Sequence, residues 1–181
     1  MDRGGVLLRV VLIGPESTGK TRLASDLAER YGVPWAPEYA REYVEVLDRP
    51  LGFADVDAIG RGQREGEDAA LAQARRLGVP LVVLDTDLVS TKDYSRHYYG
   101  DCPEWIERAA RERRGHLNLL HHVDEDWVAD GHQRAAPERR EELLALFEST
   151  LQGLEAPTTP IRGSWDELRW RAMESVDGLL A

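Results

Sequence analysis

The sequence predicts an α/β fold, a parallel sheet of about five strands covered by helices on both faces, and three observations carry that prediction. Short apolar runs at residues 6–13, 81–84 and 117–123 alternate with longer stretches of helical periodicity. Parallel strands are buried on both faces, so they read as continuous β-branched and leucine-rich runs rather than as alternating ones. A glycine-rich loop joins the first run to a helix, and a pair of acids ends the second. No repeat, low-complexity tract or Pro/Ser-rich linker breaks the alternation, and 181 residues suit one domain spanning 1–181.

In order along the chain, Val6 to Ile13 is the expected central strand. Leu23, Leu27 and Tyr31 recur at four-residue spacing before Gly32, which marks a helix of about three turns with a glycine cap. Residues 33–36 read as a short strand, and residues 38–47 as a polar helical patch ending before the Arg49-Pro50-Leu51-Gly52 turn. A long helix is expected from Phe53 to about Leu77, although Gly60, Gly62 and Gly66 weaken its first half. Leu81 to Leu84 is the second buried strand and runs into Asp85-Thr86-Asp87. Residues 103–113 read as a helix, 117–123 as a third core strand and 137–154 as a helix through Leu143, Leu144, Phe147 and Leu151. Residues 157–161 and 164–180 supply the last strand and helix.

Acidic residues outnumber Lys plus Arg by 33 to 23, and the formal net charge of −10 disfavours nucleic acid and anionic lipid as partners. A small-molecule substrate fits better. The one cysteine, Cys102, has no partner for a disulfide and no Cys or His neighbours at zinc spacing, which fits a cytoplasmic setting. No apolar stretch approaches the roughly 20 residues that span a bilayer. Nothing in the sequence specifies an oligomeric state.

Gly14-Pro15-Glu16-Ser17-Thr18-Gly19-Lys20-Thr21 matches G-x-x-x-x-G-K-[ST] in full, with a strand before it and a helix after it. Backbone N–H groups of such a loop turn toward a nucleotide's phosphates, and the helix behind adds N-terminal donors. Lys20 is placed to bridge the β- and γ-phosphates, and the Thr21 hydroxyl to coordinate Mg²⁺. Together with Arg22 these residues form the expected ATP site. Asp85, at the carboxyl end of a buried strand, is the candidate second metal ligand. Asp87 is a candidate for orienting substrate or metal, with the N-cap of the following segment as its alternative.

Beyond the loop, Glu38-Tyr39-Ala40-Arg41-Glu42-Tyr43, Gln63, Asp85-Thr86-Asp87 and Trp127-Val128-Ala129-Asp130-Gly131 occur in one order. That combination resembles the ribosylnicotinamide kinase domain of NadR-type proteins, from about residue 8 to 173. The resemblance implies a nucleoside-kinase-like P-loop NTPase with a short lid, transferring the γ-phosphate of ATP, with Mg²⁺, to the 5′-hydroxyl of nicotinamide riboside. It implies that Glu38, Tyr39, Arg41, Asp87, Trp127 and Asp130 lie at the acceptor, with Trp127 stacking on the pyridinium ring. Larger members carry an adenylyltransferase and sometimes a DNA-binding domain before the kinase, so this chain is expected to be a stand-alone kinase. It also departs from the family before Trp127, where residues 118–126 are more polar than usual.

Phosphoryl transfer requires a group to take the acceptor proton, and Glu38, Asp85 and Asp87 compete for it. Cations of a lid are sought in Arg134, Arg139 and Arg140, with a solvated helix face as the alternative. His121 and His122 are adjacent on a strand, so they point to opposite faces and do not chelate one metal together. Tyr94, His97, Tyr98 and Tyr99 either line the acceptor pocket or cover the sheet. A guanine-specific switch lacks its Asn-Lys-x-Asp tetrapeptide here. A nucleotide-dependent regulatory or binding ATPase or GTPase of the same fold, or a kinase for another nucleoside, remains the alternative.

Overall fold

In the computed structural model, which describes residues 6–122 and 137–181, five parallel strands form one sheet in the order β2-β3-β1-β4-β5. These are β1 (Leu8–Ile13), β2 (Trp35–Ala36), β3 (Leu81–Asp85), β4 (Leu117–His121) and β5 (Thr158–Ile161). The helices between them are α1 (Lys20–Tyr31), α2 (Tyr39–Glu45), α3 (Val56–Leu77), α4 (Leu88–Tyr99), α5 (Glu104–Glu112), α6 (Pro137–Gly153) and α7 (Trp165–Leu180). A 3-10 turn, Phe53–Asp55, leads into α3.

The run from Val10 to Ile13 shows why β1 is central, since all four residues are fully buried and alternate between two layers. Val10 and Leu12 pack with Leu23 and Leu27 of α1 and with Leu168, Ala172 and Val176 of α7. Val11 faces Leu71 and Ala74 of α3, while Ile13 faces Leu88 and Val89 of α4 and Leu143, Phe147 and Leu151 of α6. The chain leaves β1 for β2 and β3 on one side and later crosses to β4 and β5 on the other. Ligands bind at the carboxyl ends of strands where the order reverses in this way.

Register places the chemistry at that edge. Leu12 pairs with Asp85, and Ile13 with Leu120, so the loop after β1 lies between the ends of β3 and β4. The expected strands and helices are present with shifted ends, and one helix was not foreseen. Residues 88–99, Leu-Val-Ser-Thr-Lys-Asp-Tyr-Ser-Arg-His-Tyr-Tyr, form α4 without a clean apolar stripe. Its start is fixed by Asp87, whose side chain accepts from the N–H groups of Val89 and Ser90. The expected 53–77 helix is a 3-10 turn followed by α3. Among the described residues, no helix is long and apolar enough to cross a membrane.

Candidate active site

The loop after β1 takes its shape from both sides. Gly14 has φ +142°, and a Cβ there would lie 2.6 Å from the His121 carbonyl oxygen, so β4 crosses too close for any side chain. The neutral His121 ring then holds the loop's far side. Its Nδ1 lies 3.0 Å from the Thr18 carbonyl, which only accepts, so Nδ1 carries the proton. Burial and the Lys20 charge push this histidine down to about 3, which keeps it uncharged. On the opposite side, the Tyr94 hydroxyl donates to the Gly14 carbonyl at 3.4 Å and the Tyr98 hydroxyl to Glu16 Oε1 at 3.3 Å. The two rings stack with centroids 6.2 Å apart.

Within the loop, the Thr18 hydroxyl and the Lys20 ammonium both donate to the Pro15 carbonyl, at 3.0 and 2.7 Å. Lys20 is 8% exposed, and burial lowers its pKa against the pull of Glu38, Asp85 and Glu16. Three carboxylates thus lie within electrostatic reach of one buried ammonium. The Thr21 hydroxyl donates to Asp85 Oδ2 at 2.5 Å, while Asp85 Oδ1, though buried, has no hydrogen-bond partner. Burial raises the Asp85 carboxyl, partly offset by that bond and by Lys20.

A hydroxyl and an orphaned carboxylate oxygen are hard donors of the kind Mg²⁺ takes, and that ion keeps the rest of its shell in water and phosphate. The pair fits the metal expected from the sequence. Among the described residues, no cluster of three or more His, Cys, Asp and Glu offers an all-protein metal site.

Glu38 approaches the same point from the start of α2. It caps α2 from a half-buried position, and burial raises its carboxyl above the usual range against the attraction of Lys20. Arg41 Nη2 stands 3.8 Å from Glu38 Oε2 at the surface. Tyr39 lies one residue on, with its N–H bonded to Gln63 Oε1 at 3.1 Å. Asp87 is 3% exposed, its Oδ1 taken up by the two N–H groups of α4, and burial pushes it up to about 6. The structure thus gives Asp87 the capping role that the sequence reading held as the alternative. Arg140, early in α6, reaches the loop, donating to the Glu16 carbonyl at 3.2 Å. Arg139 is exposed at that position, close enough to Tyr98 for its charge to act on the hydroxyl. Arg22 turns away, its guanidinium 4.0 Å over the Trp165 ring. Trp127, Asp130 and Arg134 lie outside the described residues.

Sequence reasoning did not find the His121 bond to the loop or the link made by Gln63. The first was open to detection, because the end of a strand beside β1 must border the loop. The second joins residues 24 apart in sequence through a tertiary contact, and no spacing rule reports it.

A parallel five-stranded sheet with this loop at its reversal point defines the fold of a P-loop NTPase. Residues 9–168 match the family model AAA_28, described as an AAA domain, and the chain belongs to that family. Over 126 residues it is 31% identical to the trifunctional NAD biosynthesis/regulator protein NadR of Salmonella typhimurium (strain LT2), covering 67% of this chain and 30% of that protein. The chain therefore spans about a third of the length of that curated relative. Two crystal structures of NadR protein share its fold. The complex with NR gives a TM-score of 0.72 at 24% identity, over 96% of this chain and 50% of that one. The complex with NAD and AMP-PNP gives 0.75 at 23%, over 95% and 49%. Thymidylate kinase from Ehrlichia chaffeensis follows at 0.65 and 15%, over 95% and 98%. The resemblance to NadR-type proteins and the fold class read from the sequence are both borne out.

Proposed function

We propose that this chain is an ATP-dependent kinase that phosphorylates the 5′-hydroxyl of nicotinamide riboside, giving nicotinamide mononucleotide and ADP. The observation that carries the reading is Glu38, a half-buried carboxylate electrostatically coupled to Lys20 and Asp85 but delivered by a separate element on the acceptor side. A nucleotide switch needs a phosphate loop, but it has no use for a basic carboxylate facing that loop. The kinship with NadR, a protein of NAD biosynthesis crystallised with NR, supports this acceptor. A positively charged ring also suits a site bordered by Glu16, Glu38 and the Tyr94–Tyr98 pair.

The loop amides and Lys20 bind the triphosphate and hold its γ-phosphoryl group. Thr21 and Asp85 would hold Mg²⁺, which would neutralise charge on the phosphates when bound. Glu38 takes the proton of the 5′-hydroxyl as that oxygen bonds to the γ-phosphorus, and the bond from the γ-phosphorus to the β,γ-bridging oxygen breaks to release ADP. Burial makes Glu38 a stronger base than a surface carboxylate. Arg140 and Arg139 stand where charge accumulating on the transferred group can be met.

The test is incubation with ATP, Mg²⁺ and a panel of nucleosides that includes nicotinamide riboside, with products read by mass spectrometry. The mononucleotide should form with the wild type. Glu38→Gln should lower kcat by about 100-fold or more while leaving ATP affinity near normal. ATP turnover with no phosphorylated acceptor would refute the kinase reading in favour of a regulatory ATPase, and a different phosphorylated nucleoside would replace the acceptor.

A further inference from the structure

We infer that Gln63, through the two ends of its buried amide, is a positioning residue that fixes the acceptor-side carboxylate and the metal-side carboxylate relative to one another. The inference rests on the kinase reading above and adds to it a residue whose amide is taken up by two backbone groups.

Gln63 lies on α3 and is 3% exposed. Its Oε1 accepts the N–H of Tyr39 at 3.1 Å, and its Nε2 donates to the carbonyl of Thr86 at 3.2 Å. Tyr39 opens α2 directly after Glu38, and Thr86 stands between Asp85 and Asp87. One planar amide therefore joins the base of the proposed reaction to the strand end that carries the metal ligand. Both contacts are backbone groups next to the reacting side chains, so the amide sets where those side chains start.

Each end needs this support. None of the residues of α2 is buried, so the helix has little apolar packing of its own to hold Glu38 in place. Thr86 has φ +70°, a left-handed conformation that a β-branched residue adopts only when its surroundings impose it. Its N–H is bound by the Leu12 carbonyl at 3.0 Å and its carbonyl by Gln63, and these two bonds pin the twisted peptide from both sides. The twist turns the chain from Asp85, facing Thr21, to Asp87, capping α4. A leucine at 63 would fill the space but leave the Tyr39 N–H and the Thr86 carbonyl without their partner.

Replacement by glutamate separates positioning from bulk. A protonated carboxyl can still donate to the Thr86 carbonyl and accept from Tyr39, whereas an ionised one cannot donate at all. The adjoining elements carry Lys20, Glu38, Asp85 and Asp87, with Tyr39, Arg41, Glu42, Tyr43 and Glu45 on α2, Lys92 and Asp93 on α4, and Glu67 one turn further along α3. Three of the acids sit at the ends of elements the amide joins, so an ionised carboxylate at 63 adds repulsion to the lost bond.

The experiment measures kcat and KM of wild type, Gln63→Glu and Gln63→Leu with Mg·ATP and the phosphorylated nucleoside from pH 5 to 9, each variant divided by wild type at the same pH. Gln63→Leu should lose kcat by about 100-fold at every pH, with KM for ATP little changed. Gln63→Glu should approach wild type at the acid end and fall to the Gln63→Leu level as pH rises. Ratios that are flat with pH for both variants, or a loss confined to KM for ATP, would overturn the role. A second arm is independent of the acceptor, so it still decides if no nucleoside is phosphorylated. Melting temperatures of Gln63→Leu, Thr86→Gly and the double variant form a cycle. Glycine removes the strain that the amide restrains, so the double variant should lose less than the sum of the single losses. Strict additivity would overturn the inference.

Discussion

At the scale of single residues, the site is built from groups held in places they would not choose alone. Asp85 is fully buried, bonded through one oxygen to Thr21 and unpartnered at the other. Burial raises its carboxyl, so above the ordinary carboxylate range the folded state carries a charge it would rather not hold. A carboxyl raised in the folded state lowers stability as pH climbs past its unfolded value. Asp85→Asn removes that penalty while keeping an oxygen for Thr21. Its melting temperature without nucleotide should rise above wild type at pH 8, at about 2–4 °C per kcal/mol recovered. The extra stabilisation that Mg²⁺ adds to ATP binding should vanish, and thermal shifts with ATP, with and without Mg²⁺, check both. A lower melting temperature would mean that the carboxylate supports the fold rather than the ligand. Such an exchange of stability for function is common where a charge is buried for chemistry.

At the scale of elements, α2 is the part whose position is set from outside. It runs for seven residues and buries none, yet it carries Glu38 at its cap and Tyr39 in its first turn. A Cβ on Gly62 would lie 2.1 Å from the Tyr39 ring, so the glycine in α3 is the surface against which this ring rests. Gly62→Ala should therefore push α2 outward, raising KM for the nucleoside by about tenfold while the affinity for ATP stays within twofold, as read by steady-state kinetics and calorimetry. Equal losses for both ligands would place the effect in the core. From the sequence alone Gly60 and Gly62 look like weak points of a long helix, because propensity registers only the missing side chain. What they do, receiving Trp105 and Ile106 at Gly60 and Tyr39 at Gly62, is a property of neighbours far along the chain. The same reason hid α4. Its residues lack an apolar stripe, and its identity follows from an aspartate cap and packing on β1 and α6. The strands and the phosphate loop were legible because they depend on local pattern. Glu38 was legible only through its family motif, and the Gln63 link not at all.

At the scale of the molecule, the helical layers are tied to the sheet by buried charge as well as by apolar packing. Glu67 of α3 is 1% exposed and accepts from Arg113 Nη2 at 3.0 Å, while Arg113 also reaches Asp68 at 2.7 Å and its carbonyl accepts from Arg9 of β1 at 3.4 Å. Burial and the neighbouring Asp87 charge push Glu67 up to about 7, more than Arg113 can offset. The folded state therefore binds more protons than the unfolded one between the ordinary glutamate value of 4.5 and about 7. Stability falls as pH rises through that window and levels off above it. Asp87, at about 6, acts in the same direction. Asp55 acts in the opposite one, because the Arg49 guanidinium and the Gly52 N–H hold it well below the usual range. Its contribution is present above the unfolded value of about 4 and is lost as pH falls below it. The two trends meet close to the unfolded carboxylate values, at about pH 4, where the melting temperature should be highest. Glu67→Gln keeps an acceptor for Arg113 but cannot ionise, so its melting temperature should decline less between pH 5 and 8 than that of wild type. The declines of the two proteins between pH 5 and pH 8 should differ by about 2–3 kcal/mol, taking the Glu67 displacement at about 1.4 kcal/mol per pH unit. Urea titrations at pH 5 and pH 8 measure it directly. Parallel declines in the two proteins would show that the ion pair with Arg113 keeps Glu67 charged throughout, and would move the origin of the pH dependence to Asp87.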